Sequence, residues 1–179
     1  MLRPLTYLVL GWLLLAAAGG LAQALQLTFV LPATSAVLVT HMAFSKGMAT
    51  PLGLALAIGL GYLEDIHQGA PGGTLTLAHA LAFLFLRWAS GRVALPGWIS
   101  RAIAAFVAVV LIDLLTWLVL LALEDTLSLR RDALMTALSD VKWHGLATVF
   151  AAPPIWALMD RVLAVSRLSD RTSSYRGTK

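Results

Sequence analysis

Residues 102–123 read AIAAFVAVVLIDLLTWLVLLAL, an apolar run with one charge, Asp113, near its middle. A helix needs roughly 20 such residues to cross a hydrocarbon core. This run is long enough, and nothing in it alternates as a half-buried strand would. Helices satisfy their own backbone groups in lipid, so the run reads as a transmembrane helix. The rest of the chain repeats the pattern. Apolar stretches at 5–25, 30–44, 48–63, 74–88 and 143–165 are separated by Ser45-Lys46-Gly47, by Glu64-Asp65, by Gly69-Ala70-Pro71-Gly72-Gly73 and by charged or Pro/Gly-rich segments. The runs at 30–44 and 48–63 are short for a full span and are expected to borrow flanking residues. The expectation is an all-α, polytopic integral membrane protein: one domain over 1–165 with six transmembrane helices, then a disordered tail over 166–179.

Composition agrees. Of 179 residues 59% are apolar and 12% charged, and cysteine is absent; the mean hydropathy is +0.84. A separate soluble catalytic domain does not fit in such a chain. Without cysteine there is no disulfide framework and no thiolate chemistry.

The net charge of +4 reports topology. Six crossings place both termini on one side. Of the 13 bases, all but Arg130, Arg131 and Lys142 fall on that side, including Arg3, Lys46, Arg87, Arg92, Arg101 and Arg161. The positive-inside rule makes it cytoplasmic. Nucleic-acid binding would need bases clustered with aromatics on a soluble face, and no such face exists. Arg3, the first apolar run and Ala22-Gln23-Ala24 also resemble a secretory signal, but the run is longer than a usual signal core, so retention of the helix is expected.

Three features could carry chemistry or binding. Small residues recur at i, i+4 and i+8 in Ala16, Gly20, Ala24 and again in Gly53, Ala57, Gly61, giving smooth faces for helix packing, either within the bundle or against a partner helix. Asp113 lies deep in the fifth crossing, where a carboxylate is costly, so it should face the interior and be protonated or paired. His41 and His79 are its candidate partners. His41, His67, His79 and His144 lack metal-ligand spacing, and no metal, cofactor or catalytic group is expected. Between the fifth and sixth crossings, Leu127, Leu134, Leu138 and Val141 recur at helical spacing and predict an amphipathic interfacial helix, either lying in the headgroups or serving as a docking ledge.

The stretch Gly61-Tyr62-Leu63-Glu64-Asp65-Ile66-His67-Gln68-Gly69-Ala70-Pro71-Gly72-Gly73 is similar to the G-x-x-x-D-x-x-x-G-x-x-x-G pattern of the rod shape-determining MreD family. Leu31-Pro32, Ile112-Asp113 and Pro154-Ile155-Trp156-Ala157-Leu158-Met159 agree with it in order and spacing. Glu64 stands where that family usually has an apolar residue. The resemblance implies a non-enzymatic bacterial inner-membrane scaffold of cell-wall elongation that binds MreC and works with MreB, RodA and its transpeptidase partner. It also implies a fold like the substrate-binding subunits of energy-coupling-factor transporters, so the alternative function is capture of a vitamin-like small molecule. Gly61, Asp65, Gly69, Gly73 and Asp113 carry over as family-motif positions. Asp65 and Gly61 are expected at a partner surface, and Asp113 in folding.

Overall fold

Long apolar runs recur along this chain, and a helix is the structure in which each can close its own backbone hydrogen bonds in lipid. The computed structural model describes residues 2–25, 32–68, 71–123 and 131–176, and among them helix is the only regular structure. The helices are α1 (Leu2–Leu25), α2 (Thr34–Phe44), α3 (Thr50–Gln68), α4 (Thr74–Ser90), α5 (Trp98–Ala122) and α6 (Arg131–Arg176). Three of them are long and apolar enough to cross a membrane, over Pro4–Leu21, Trp98–Ala122 and Val141–Ala164. They mark the chain as a membrane protein. Of the six crossings read from sequence, these three meet the requirement of length and apolarity; α2 and α4 are shorter apolar helices.

The surface differs from that of a water-soluble globule in its many large apolar side chains, and the apolar interior also holds polar ones. Trp12, Leu21, Ile103, Leu118 and Phe150 are exposed, whereas Thr40, His41, Glu64, Asp65, His79 and Thr148 are buried. Apolar side chains facing outward suit lipid, and polar ones facing inward find partners.

At the centre is α2. Every residue from Thr34 to Ala43 is buried, and α2 touches all five other helices. At 1.5 Å per residue it spans only about 16 Å. A helix surrounded by protein on all sides does not have to match the bilayer thickness itself. Its Leu38, Val39 and Met42 form one core with Leu60, Phe83, Val109 and Met159. α1 joins this core through Tyr7 and Gly11, against which the ends of the Leu60 and Leu38 side chains pack, so a larger residue at Gly11 would have to displace them.

Several boundaries differ from the sequence reading. α3 continues one turn beyond Leu63 to Gln68, because the charges of Glu64 and Asp65 are bonded inside the protein and do not end the helix. α5 begins at Trp98, where the Ser100 hydroxyl bonds the N–H and carbonyl of Gly97 and caps the first turn. α6 is a single helix that includes residues 131–140, where a separate interfacial helix was expected, and 166–176, where a disordered tail was expected. From Ile155 to Arg176 the chain contains no Gly or Pro, and a helix already nucleated propagates at little cost. Leu31, Gly69 and Leu127 lie outside the described residues.

Candidate functional site

The motif region builds a capped hairpin. Gly61 sits where α3 meets the first turn of α4, and a Cβ there would lie 2.7 Å from the Cα of Thr76 and 2.8 Å from the carbonyl oxygen of Leu75. Backbone cannot retreat as a flexible side chain can, so only glycine permits this approach. One turn further along α3, the Asp65 carboxylate reaches the open N-terminus of α4. It accepts the N–H of Leu75 at 2.8 Å, of Gly73 at 3.0 Å and of Thr76 at 3.2 Å, and the Thr76 hydroxyl at 2.6 Å. The first turn of any helix has free N–H groups and a partial positive charge, and a carboxylate answers both. Gly73 supplies the left-handed backbone, φ +94°, that turns the chain into α4.

These bonds control the acid. Burial alone would raise the Asp65 carboxyl, but the Thr76 hydroxyl and the N–H groups of Leu75, Thr76 and Gly73 outweigh it and hold the group below its ordinary value. Gly61 and Asp65, expected at a partner surface, are therefore packed between two helices of the same chain. The small-residue face of α3 has the same fate: Gly53 lies under the ring of Phe83, and Ala57 is fully buried.

Beside the cap, Glu64 turns into the bundle. Its carboxylate accepts the Ser35 hydroxyl from α2 at 2.8 Å and the Gln68 amide at 3.0 Å. His79 Nε2, from α4, lies 3.0 Å away. At that nitrogen the approach is within ion-pair range but poorly aligned for a hydrogen bond. The other ring nitrogen, Nδ1, is 2.9 Å from the Leu75 carbonyl, which can only accept, so Nδ1 carries a proton. Glu64 was missed as a site residue in sequence, although it falls one turn beyond Gly61 on the same α3 face.

Asp113 is placed differently from expectation. Its neighbour is His144 of α6, with 3.9 Å between Oδ2 and Nδ1; His79 is taken by Glu64. His41 belongs to another network, in which its Nδ1 meets the Tyr7 hydroxyl at 2.9 Å and its Nε2 meets Asp160 at 3.1 Å. Along one face of α5, Asp113 Oδ2, Thr116 Oγ1 and Trp117 Nε1 are buried without a hydrogen-bond partner among the described residues. No group of three or more His, Asp or Glu side chains able to hold a metal occurs among the described residues.

The remaining small-residue stripe is open. Tyr7 and Gly11 mark the buried side of α1, and at 100° per residue Ala16 and Gly20 fall on the far side. Ala16, Gly20 and Ala24 are all exposed, and a Cβ on Gly20 would meet nothing within 4 Å.

Compared with protein-family models, with curated proteins and with solved structures, the chain matches none.

Proposed function

We propose that the chain is a non-enzymatic inner-membrane scaffold of the bacterial cell-wall elongation complex. In this reading it crosses the membrane six times with both termini cytoplasmic. It holds MreC, and works beside MreB, RodA and the transpeptidase partner of RodA, in contact with membrane lipids. The observation that carries the reading is the contrast between the two small-residue stripes. The α3 stripe is used up inside the bundle, while Ala16, Gly20 and Ala24 on α1 leave a smooth apolar face uncovered. In lipid such a face lets a second helix approach closely, which is how one transmembrane protein recognises another. The resemblance of the α3–α4 hairpin to the MreD pattern supplies the partner's name; the hairpin itself is a folding device.

The test is co-purification from a host membrane with tagged MreC. Wild type retains MreC, and Gly20→Leu loses it with unchanged thermal unfolding. Equal retention by Gly20→Leu removes α1 from the interface. A wild type that retains no MreC, with normal rod shape after depletion of the protein, overturns the scaffold reading.

A second reading, a vitamin-like binding subunit of an energy-coupling-factor transporter, is favoured by one observation. Asp113 Oδ2, Thr116 Oγ1 and Trp117 Nε1, which make no hydrogen bond among the described residues, share a face of α5. Buried polar groups left unpaired are costly, and a small polar ligand could satisfy all three. Mass spectrometry of the purified protein discriminates: a stoichiometric small molecule supports this reading and counts against the scaffold.

A further inference from the structure

At the end of the bundle where α2 stops and α4 passes into α5, the helices leave a cleft of about 1130 Å³. Lys46, Arg87, Arg92 and Arg101 line it, and Asp160 is the single acid in its wall among the described residues. The four bases and one acid give a formal charge of +3, counting His41 as neutral. Among the described residues that charge is not cancelled locally. Both oxygens of Asp160 are already engaged, by His41 at 3.1 Å and by Arg101 at 3.2 Å. Arg87 donates to the carbonyls of Ala43, Ser45 and Met48. Those carbonyls fix the guanidinium in place and leave its charge uncompensated. Arg92 lies over the Trp88 ring at 4.0 Å and bonds the Trp88 carbonyl. Lys46 is exposed at the rim.

The walls are of a second kind. Val93, Ala94, Leu95 and Pro96 line one side, and Trp88 and Trp98 are exposed beside them. Tryptophan with its ring in apolar surroundings and its N–H near water is the side chain typical of the membrane interface. A basic floor next to an apolar wall, at the end of lipid-facing helices, matches an anion attached to a greasy body.

We infer that this cleft binds the phosphate ester of an anionic membrane lipid, with the phosphate against Lys46 and Arg92 and within the field of the fixed Arg87 charge. Guanidinium and ammonium groups both suit a phosphate, the first through a planar fork of donors and the second as a point charge. The apolar wall receives the glycerol and the first methylenes of the chains. A free phosphate would use the basic floor alone.

The experiment compares wild type with Lys46→Ala/Arg92→Ala, both full-length and purified in detergent. Binding of phosphatidylglycerol, phosphatidylcholine and inorganic phosphate is measured by native mass spectrometry. Arg87 is left intact because it holds the end of α2. Wild type is expected to retain phosphatidylglycerol over phosphatidylcholine, and the double variant to bind it about 30-fold more weakly, the effect of losing two bases near an anionic surface. Retention of inorganic phosphate with the same sensitivity, and no preference for phosphatidylglycerol, overturns the lipid assignment and gives the basic floor to a soluble phosphate ester. Equal binding of both lipids, or of phosphatidylglycerol by both proteins at unchanged melting temperature, overturns the inference. Should the double variant unfold, Lys46→Glu alone carries the test, since reversal at the exposed rim must still weaken phosphatidylglycerol binding.

Discussion

The Asp65 carboxylate, on the last turns of α3, accepts the N–H of Leu75 at 2.8 Å, so a side chain of one helix caps the first turn of the next. Helix N-caps normally come from the residue just before the helix. Here Gly73 holds that position and has no side chain, and the cap is delivered from eight residues upstream. Asp65→Ala would leave the N–H groups of Gly73, Leu75 and Thr76 without their acceptor. Each unsatisfied buried donor costs about 1–3 kcal/mol, part of it recovered by water at the turn, so a net loss of about 2–4 kcal/mol is expected. Thermal unfolding in detergent measures it. A loss below about 0.5 kcal/mol would contradict the cap.

The same bonds set a pH dependence. Because the folded protein holds the Asp65 carboxyl below its ordinary value, the unfolded chain binds the proton more readily. The stability from this group is present in full above the unfolded value, about 3.9, and is lost as pH falls through the folded value. Asp65→Asn should flatten the acid limb of a plot of unfolding temperature against pH while leaving its neutral region parallel to wild type. An unchanged acid limb would mean that other carboxylates govern it.

How far the sequence foretold this arrangement depends on the range of the interaction. α5 was legible because its signal is local: a long apolar run over 102–123 with a single charge, Asp113. The end of α3 was not, because Glu64-Asp65 looks like the solvated end of a crossing. What buries the two acids is Ser35, His79 and the first turn of α4, and no local pattern announces those partners. Periodicity did hold one clue. Gly53, Ala57, Gly61 and Glu64 fall on one face, and following that face past Leu63 would have turned Glu64 inward. For Asp113 the depth was readable, yet the choice of His144 over His41 or His79 depends on helix rotation, which sequence spacing does not fix. The basic cleft needed four separate segments to meet, so only its positive sign was visible beforehand.

Glycine substitutions separate the two small-residue stripes. On α3, Gly61→Ala places a methyl 2.7 Å from the Thr76 Cα, and the hairpin must open to admit it. Overpacking of this kind costs about 1–3 kcal/mol. On α1, Gly20→Ala meets open space and improves helix propensity, so the isolated protein should be unchanged or slightly more stable. Unfolding temperatures of the two variants should therefore move apart, with Gly61→Ala falling. If both fell equally, α1 would be packed against a surface that the described residues do not supply.

Glu64 and His79 make the sharpest energetic case, since each is buried and each depends on the other at 3.0 Å. Removing one member of a buried pair strands its partner, at a cost of about 3–5 kcal/mol. Glu64→Leu alone leaves His79 Nε2 and the Ser35 hydroxyl facing an apolar side chain; His79→Leu alone leaves a buried carboxylate with two neutral donors. Replacing both by leucine removes both groups that need a partner, so the double variant should be more stable than either single one. The coupling, measured as a double-mutant cycle by unfolding in detergent, should exceed about 1 kcal/mol. Strict additivity would show that the two side chains are held independently, Glu64 by Ser35 and Gln68 and His79 by the Leu75 carbonyl, and that their proximity contributes nothing to the fold.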